Sequence, residues 1–510
     1  MTVQKSFSPI VFALSALVPS AELLADGYER TGGDGTWHDG NFTHLFSGPL
    51  DQRYLDNRAR TTMEADVTAD EIFVGYEDAS AYAEPTTTLQ IGSETNTAIA
   101  PNFQSGTAYI GNWPQSDGQV DFFRGTWTNT GNLLVGWQGK GVLNLLNDAS
   151  LGTDYLRVGD YNSASDSRLS LHDQSSLSVT GTSNTIIGDL GYGSLEISDS
   201  ASFETTDNLS LGVATNLDQT VFGAGVIEMT GGSLSVGQNL NVGWEGDGEV
   251  LMSGTSTATV SQDLVVGSGT LSQASLLLEN EARLDVTGQF NMSRHSTDSL
   301  TTLKNNAIFN TGTSRIGESN PASNGSILLN GGTWNNAGLT DLGHQGTGTL
   351  SVESGALMTS HSLYAGVQAS GRGEIFINGS GRVEIADTLS LGRGDTSHGT
   401  LEMTGGTLTT YNAYLGTFAS SSGSAVLRGN SQWTNGNQIS LGYSTDTTNT
   451  LEVREGATLN THRLMIGDGA SSTGEVTLRQ NGSIQITDGN APAVYVAFTG
   501  NGTFNIADAG

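Results

Sequence analysis

The sequence predicts an all-β protein that folds as a parallel β-helix, a solenoid with about 25 residues in each coil. Two observations support this prediction. First, a glycine returns at the end of a short apolar run, as in LSLG at 209–212 and LNVG at 240–243. Second, apolar and polar residues alternate in the short segments between these glycines, which is typical of half-buried strands. A fixed period of this length indicates stacked repeats and not a series of separate globular domains.

The recurring glycine sets the length of the coil. Most successive steps are 23 to 26 residues, for example from Gly343 to Gly366 and from Gly392 to Gly416. Glycine adopts positive φ without steric cost, so we interpret these positions as corners between strands. The predicted structural turn glycines are Gly136, Gly159, Gly188, Gly212, Gly243, Gly267, Gly317, Gly343, Gly366, Gly392, Gly416, Gly442 and Gly467.

Each repeat begins with a strand such as GTLEM at 399–403. Leu401 and Glu402 lie on opposite faces of this strand, so the leucine is expected to point inward and the glutamate outward. Leu195 and Ile227 occupy the inward position in other repeats. The inward residues of successive coils are therefore expected to stack into one apolar column.

A turn rich in Gly, Asn, Asp and Ser follows the first strand, for example TGG at 404–406. A second short strand and a polar linker then lead to the run that ends in glycine. Because Gly405 and Gly406 are interpreted as corner residues with positive φ, valine at either position is expected to cost more stability than valine at Thr410. A β-propeller is excluded because each of its blades needs about 40 to 45 residues.

Composition restricts the kinds of partner and site. The formal net charge is −32, and lysine occurs only at positions 5, 140 and 304. Such a surface repels phosphate backbones, so we expect no nucleic-acid partner. The chain has no cysteine, which excludes disulfides and thiolate metal sites and leaves packing and hydrogen bonds between strands as the sources of stability.

The N-terminal segment differs from the rest. Residues 1–25 combine Lys5, a short apolar stretch and small residues up to Ala25, which is typical of a secretory signal peptide; the alternative is a buried N-terminal helix. Residues 26–74 do not fit the repeat and are predicted to cap the first coil, with one short helix within the arginine-bearing stretch at 49–63.

The predicted repeat domain spans residues 75–510. Gly75, Gly92 and Gly111 carry the glycine signature at irregular spacing and are interpreted as early coils with loop insertions. No segment of this domain has 18 consecutive apolar residues, so no transmembrane helix is expected. The last residues, 502–510, match only the first half of a repeat, so we expect the domain to be incomplete at Gly510 and the chain to continue beyond it.

β-Helices also carry polysaccharide-degrading enzymes, whose sites need clustered carboxylates. The outward slot of the first strand holds Glu196 and Glu228 in successive coils, and an ordinary solvated face explains this pair better than a catalytic site.

Other short motifs carry little weight. The RGD tripeptide at 393–395, near His398, is interpreted as a chance match. GWEGDGEV at 243–250 and GDGAS at 467–471 resemble calcium loops only superficially. None of the eight histidines forms a closely spaced pair of the kind that binds zinc. We therefore predict no catalytic, cofactor-binding or metal-binding residue, and no cofactor.

Outward tryptophans can stack on sugar rings. Trp334 and Trp433 occupy the apolar slot that Leu357 and Leu408 hold in other coils, so core filling is the better interpretation for these two. The outward candidates are Trp113, Trp127, Trp137 and Trp244.

The unit GxLxVxxGGxLxxxxxLxLG resembles the repeats of bacterial type V secretion proteins (autotransporter passengers) and of proteins associated with PEP-CTERM sorting. GTLEMTGGTLTTYNAYLG at 399–416 and GSILLNGGTWNNAGLTDLG at 325–343 carry the closest match, and the resemblance covers residues 111–510. It implies a right-handed parallel β-helix at or beyond the cell surface of a Gram-negative-type bacterium. In such passengers the lack of cysteine suits export of an unfolded chain.

These observations predict a secreted or surface-displayed structural protein, a spacer, adhesin stalk or matrix component without catalytic activity. The alternative is a pectin-lyase-like enzyme that degrades polysaccharides, or a carbohydrate-binding module. The longer steps from Gly159 to Gly188 and from Gly212 to Gly243 are the only hints of a cleft that an enzyme would need. The expected partners are surface glycans or other cell-surface molecules, with membrane anchoring through a portion beyond Gly510.

Overall fold

The computed structural model shows a chain built of β-strands, without helices among the described residues. Two compact units are distinguished, Met1–Gln238 and Asn239–Gly510. The predicted signal peptide, residues 1–25, lies outside the described residues, and no helix within them is long and apolar enough to cross a membrane. The structure describes residues 50–55, 60–63, 66–75, 86–114, 116–160, 166–213, 223–487 and 493–507.

Unit 1 holds strands β1 to β15, of which most are short and two, β6 and β7, have 19 residues each. They are β1 (Leu50–Leu55), β2 (Arg60–Met63), β3 (Val67–Val74), β4 (Thr86–Ile91), β5 (Asn102–Ile110), β6 (Asp117–Val135), β7 (Lys140–Val158), β8 (Asp166–Leu171), β9 (Ser176–Val179), β10 (Thr185–Ile187), β11 (Tyr192–Ile197), β12 (Ser202–Thr205), β13 (Leu209–Leu211), β14 (Ala224–Met229) and β15 (Ser233–Val236).

Unit 2 holds strands β16 to β41 in the same pattern. They are β16 (Leu240–Val242), β17 (Asp247–Met252), β18 (Thr257–Val260), β19 (Leu264–Val266), β20 (Gln273–Leu278), β21 (Arg283–Val286), β22 (Gln289–Met292), β23 (Asp298–Lys304), β24 (Ile308–Thr311), β25 (Thr313–Ile316), β26 (Asn324–Asn330), β27 (Thr333–Leu342), β28 (Thr347–Glu353), β29 (Leu357–Ala365), β30 (Arg372–Ile385), β31 (Thr388–Leu391), β32 (His398–Leu415), β33 (Ser422–Leu427), β34 (Gln432–Leu441), β35 (Thr448–Val453), β36 (Thr458–Thr461), β37 (Arg463–Ile466), β38 (Thr473–Arg479), β39 (Ser483–Ile486), β40 (Val494–Val496) and β41 (Asn501–Ala507).

Each coil has three faces. Face A carries the strand that opens the repeat, face B the short strand after the turn, and face C the run that ends in glycine. In one coil of unit 1 these are β11, β12 and β13, whereas β6 and β7 run through all three faces and shift register at the corners.

The named strands pair in parallel with their counterparts one coil away. In unit 1, β12 pairs with β9 on one side and with β15 on the other. In unit 2, β28 pairs in the same way with β26 and β30. This confirms the predicted parallel β-helix with about 25 residues in each coil.

The core consists of the inward residues of the three faces. Leu195 and Ile227 are completely buried and Leu401 is 2% exposed, which confirms the predicted apolar column. Burial of one such side chain contributes about 1.5–3 kcal/mol before the cost of ordering the chain is subtracted. A single coil leaves both of its strand edges unpaired, so its stability depends on its neighbours.

The corner from face C to face A requires glycine for two reasons, which Gly343 illustrates. Its φ is +65°, and a β-carbon there would lie 1.9 Å from the Arg372 carbonyl oxygen of the next coil. Its backbone N–H meanwhile donates to the Ile316 carbonyl at 2.8 Å, so the corner remains part of the hydrogen-bonded ladder. All thirteen glycines of the predicted series have φ between +61° and +78°.

A second glycine column, which begins face A, packs against these corners. A β-carbon on Gly348 would lie 2.3 Å from the backbone nitrogen of Gly343. Glycine therefore recurs in sequence about five residues after the corner because two backbones meet there.

Within the described ranges two coils turn without glycine, and one of them explains the gap in the sequence series between Gly267 and Gly317. Ser293 follows β22 with φ +53°, and its N–H donates to the Val266 carbonyl at 2.8 Å. Ala497 follows β40 with φ +60° in the same way. The Ser293 hydroxyl donates to the Asn324 carbonyl of the next coil at 2.7 Å, so the side chain at this corner is hydrogen-bonded to the coil it faces.

Some sequence-based predictions about the first coils were wrong. The described residues of the segment 49–63 are strands and not a helix: Leu50–Leu55 pairs with β3 and Arg60–Met63 pairs with β4. Gly92 does not belong to the corner series, since it follows β4, whose residues pair with the face A part of β6. The cap assigned to residues 26–74 remains a prediction, and the ladder already runs through the described part of it.

Candidate functional site

Glu196 and Glu228 do lie side by side, because β11 and β14 pair in register on face A. Glu196 also forms an ion pair with Arg168 of the preceding coil. The same geometry recurs in unit 2, where Glu402 pairs with Arg428 of the following coil. Exposed pairs of this kind are worth about 0–1 kcal/mol each, and their spacing is that of a solvated strand face.

The arginine of the RGD tripeptide contacts residues of the preceding coil. The Arg393 guanidinium lies over the Tyr364 ring, 3.7 Å from its centroid, in a cation–π contact. The backbone N–H of Arg393 donates to the Gly366 carbonyl at 2.7 Å, and Asp395 is exposed in the turn beyond. Nearby His398 contacts the Ser422 hydroxyl. The arginine is therefore engaged within the solenoid and is not presented on a free loop.

The two segments that resemble calcium loops use their carboxylates to join coils. Asp247 Oδ1 accepts from the Gln273 backbone N–H at 2.9 Å, and Asp468 Oδ2 accepts from the Ser440 hydroxyl at 2.7 Å. Within the described ranges, no three or more His, Cys, Asp or Glu side chains come together in a way that could hold a metal ion.

The tryptophans divide between interior and surface. Trp334 and Trp433 are fully buried, which confirms the core-filling interpretation. Trp127 is fully buried as well, so its prediction as an outward residue was wrong: it faces the interior next to Phe103. Trp113 and Trp244 are 47% and 37% exposed.

The inward slot of Trp334 is not the one that Leu357 holds. Trp334 aligns with Met358 and not with Leu357, which lies on the outward side. Trp433 aligns with Leu408, as the pattern predicts.

Each buried indole closes a polar network that the sequence pattern did not reveal. Trp334 Nε1 donates to Thr311 Oγ1 of the preceding coil at 3.0 Å, and that hydroxyl donates to Asn336 Oδ1 at 2.8 Å. The Asn336 amide donates to the Gly338 carbonyl at 2.9 Å. The pattern Trp-x-Asn at the end of face B marks all three copies; the others comprise Trp127, Ser105 and Asn129, and Trp433, Thr410 and Asn435.

A charged cluster in unit 1 is built on residues that follow turn glycines. Arg157 Nη1 contacts Asp160 Oδ1 and Asp189 Oδ2, both at 2.8 Å. Asp160 is 2% exposed. Burial raises the pKa of Asp189 to about 6, with the neighbouring Asp160 carboxyl adding to the rise and Arg157 opposing it.

A related cluster in unit 2 surrounds Arg315 on face C. Arg315 lies between Glu318, at 3.6 Å, and Asp341, at 3.8 Å, and Asp341 also contacts His344 Nδ1 at 3.2 Å. Arg294 contacts Glu318 at 3.4 Å from the preceding coil. Opposite charges thus alternate across coils and balance one another, which is an arrangement that fixes the corner loops.

Comparison with protein-family models, with curated proteins and with solved structures finds no match to this chain. Function must therefore be argued from the geometry above. The position directly after the turn glycine carries an ionisable side chain in several coils. Asp160, Asp189, Glu318 and His344 all occupy it. A turn glycine followed directly by an ionisable residue was the sequence signal that could have identified these residues.

Proposed function

We propose that this chain is an exported structural β-helix, displayed at the surface of a Gram-negative-type bacterium as an adhesin-like passenger without catalytic activity. One observation carries the proposal, namely the regularity of the ladder in unit 2. Face A strands follow each other after 26 residues from Asp247 to Gln273 and after 23 from Asn324 to Thr347. A scaffold of stacked coils of similar length extends with each added coil and presents side chains at regular intervals.

The outward chemistry supports a structural role. Carboxylates on the strand faces pair with arginines of neighbouring coils, as Glu402 does with Arg428. Acidic groups that are neutralised within the fold are poor candidates for general acid or base catalysis, which needs a group free to exchange a proton with substrate. The resemblance to autotransporter passengers and PEP-CTERM-associated repeats, the signal-like residues 1–25 and the lack of cysteine support export.

The location can be tested on intact cells of the bacterium that encodes the chain. We expect antibodies raised against the purified chain to label intact cells, and added protease to remove the label while a cytosolic marker survives. N-terminal sequencing of the mature protein should begin near residue 26. A protein that retains Met1 and resists external protease would contradict the proposal.

The absence of catalysis needs its own assay. We expect purified chain to release no unsaturated or reducing sugars from polygalacturonate, alginate or xylan over a day. Release of unsaturated uronides that persists after repurification would instead favour the pectin-lyase-like alternative.

A further inference from the structure

One outward column on face C of unit 2 alternates large and small residues. Tyr364, Ser390, Tyr414 and Ser440 come from consecutive coils and pair in register as direct neighbours. Parallel strands lie about 4.8 Å apart, so the two tyrosines are roughly 10 Å apart with a serine between them. Each ring therefore has a serine as its direct neighbour in the column, and the Arg393 guanidinium lies over the Tyr364 ring, so Tyr414 is the ring of this column to consider.

The Tyr414 ring meets a second ring at the corner. Tyr443 follows turn glycine Gly442, is 50% exposed, and contacts Tyr414 with ring centroids 5.0 Å apart and planes 64° apart. The two rings form an angled apolar wall, which we call the tyrosine corner. Exposed aromatic rings are costly for solubility unless they serve a contact, and rigid rings supply contact area with little loss of entropy.

Polar groups surround the tyrosine corner. Gln438 Nε2 donates to the Tyr414 hydroxyl at 3.3 Å, and the Asp468 carboxylate accepts from Ser440 at 2.7 Å. Burial raises the pKa of Tyr414, and the nearby Tyr443, Asp387 and Asp468 raise it further while the Gln438 hydrogen bond opposes them. The hydroxyl therefore remains a hydrogen-bond donor at neutral pH.

We propose that the tyrosine corner binds one pyranose ring of a neutral β-linked glycan. The axial C–H groups of a gluco-configured ring present an apolar face that fits an aromatic wall, and the ring hydroxyls match the adjacent carboxylate, amide and phenol groups. Asp387, Asp468 and the formal net charge of −32 repel uronates and sulfated sugars. This inference deepens the proposed surface role by naming the class of ligand.

The test is calorimetric titration of the purified full chain with cellohexaose in 150 mM NaCl at pH 7. We expect binding that Tyr443→Ala and Tyr414→Ala each weaken at least about tenfold, the loss that follows from removing a central aromatic contact. Trp244→Ala is the matched control. Trp244 also follows a turn glycine and is 37% exposed. Its own coil and the next coil carry Asn241 and Val265, and no tyrosine, at the face C position that Tyr414 occupies in its coil. This variant should bind like the wild type.

Three results would overturn the site: no heat of binding with the wild type, equal weakening by Trp244→Ala, or displacement of cellohexaose by hexagalacturonate. Circular dichroism of each variant verifies that the β-helix is intact, and Tyr443→Phe should retain binding because it keeps the ring. The titration uses purified protein, so its failure leaves surface display untouched. A chain that binds cellohexaose but never reaches the cell surface would refute only the proposed function.

Discussion

Gly343 shows how much one residue decides at the corner of a coil. The backbone must turn with positive φ while the next coil passes within contact distance, so conformation and space both exclude a side chain. Ser293 adopts the same φ, and its hydroxyl donates to the Asn324 carbonyl of the next coil. The fit at a corner thus involves two coils, which a pattern search within one repeat cannot detect.

Gly343→Ala should therefore destabilise the protein more than Gly355→Ala. Gly355 has a comparable φ of +79°, but the only atom near its missing β-carbon is Ser380 Oγ at 3.8 Å. We expect about 1 kcal/mol for Gly355→Ala from backbone strain alone and at least about 3 kcal/mol for Gly343→Ala. Urea denaturation followed by circular dichroism measures both. Equal losses would mean that strain in φ, and not the neighbouring coil, sets the requirement.

Thr410 is a second position where one residue matters more than its sequence suggests. Its hydroxyl accepts from Trp433 Nε1 and from the Asn435 amide, both at 3.0 Å, and it is 2% exposed. Thr410→Val leaves two buried donors without an acceptor and should cost about 2–3 kcal/mol. Thr410 is consequently a poor reference for the Gly405 and Gly406 valine variants.

The adjacent Thr409 is the matched control for that substitution. Thr409 is exposed on the same strand, so Thr409→Val should change stability by less than about 0.5 kcal/mol. A red shift in the emission of the buried indole should accompany Thr410→Val alone. Indistinguishable denaturation curves for the two variants would refute the role assigned to the network.

At the scale of the strand, a ladder of side-chain hydrogen bonds crosses face B in unit 2. Asn310 donates to Asp285 at 2.5 Å, Asn335 donates to Asn310 at 2.8 Å, and Thr359 donates to Asn335 at 3.2 Å. All donors point the same way, so the chain of bonds ends on one carboxylate, which Arg283 also contacts at 2.8 Å. Bonds aligned in this way polarise one another.

The pH dependence of this ladder follows from Asp285. Partial burial alone would raise the pKa of Asp285, but hydrogen bonds from Arg283 and Asn310 lower it below its usual value. A lowered pKa stabilises the fold above the unfolded value of about 3.9, and this contribution disappears as pH falls through the folded value. Wild type should thus lose more stability than Asp285→Asn between pH 5 and pH 2.5, by less than about 1 kcal/mol. Parallel curves would contradict the assignment.

The Arg157 cluster predicts the opposite sign. The pKa of Asp189 is raised to about 6, above its unfolded value, so the stabilising contribution is complete below about pH 4 and is lost as pH rises through 6. Asp189→Asn should therefore be close to the wild type at pH 4 and more stable at pH 8, by up to about 3 kcal/mol, because each pKa unit corresponds to about 1.4 kcal/mol. Thermal unfolding at the two pH values measures this. A variant less stable than wild type at pH 8 would show that the Arg157 ion pair outweighs burial.

For the molecule as a whole, charge is the dominant global property. A formal net charge of −32 repels itself, and salt screens this repulsion with a Debye length of about 10 Å at 0.1 M. We expect the melting temperature to rise by several degrees between 20 and 300 mM NaCl. CaCl2 at equal ionic strength should give a similar rise if the effect is diffuse screening. A much larger rise with Ca²⁺ than with Mg²⁺ would instead reveal a specific cation site.

The sequence alone was sufficient for the periodic part of this fold. Period, strand alternation and corner glycines are local signals, and they identified the inward positions of Leu195, Ile227 and Leu401. The Trp334 network and the Arg157 cluster were not predicted, because their partners lie a full coil apart in sequence and the short patterns that mark them, Trp-x-Asn and glycine followed by aspartate, do not identify those partners. The first coils were predicted wrongly because Gly92 follows an apolar run, as the corner glycines do, although the strand before it lies on face A and not on face C.

The column of glycines on face A has a consequence for how such a chain can change. Gly325, Gly348, Gly373 and Gly399 are direct partners in successive coils, so identical residues meet at every step of the column. Excising the segment from Gly348 to Arg372 would bring Gly325 against Gly373 and restore the alignment on all three sides of the prism. Unequal recombination that adds or removes whole coils therefore preserves the strand pairing. Any other length of insertion or deletion disrupts it.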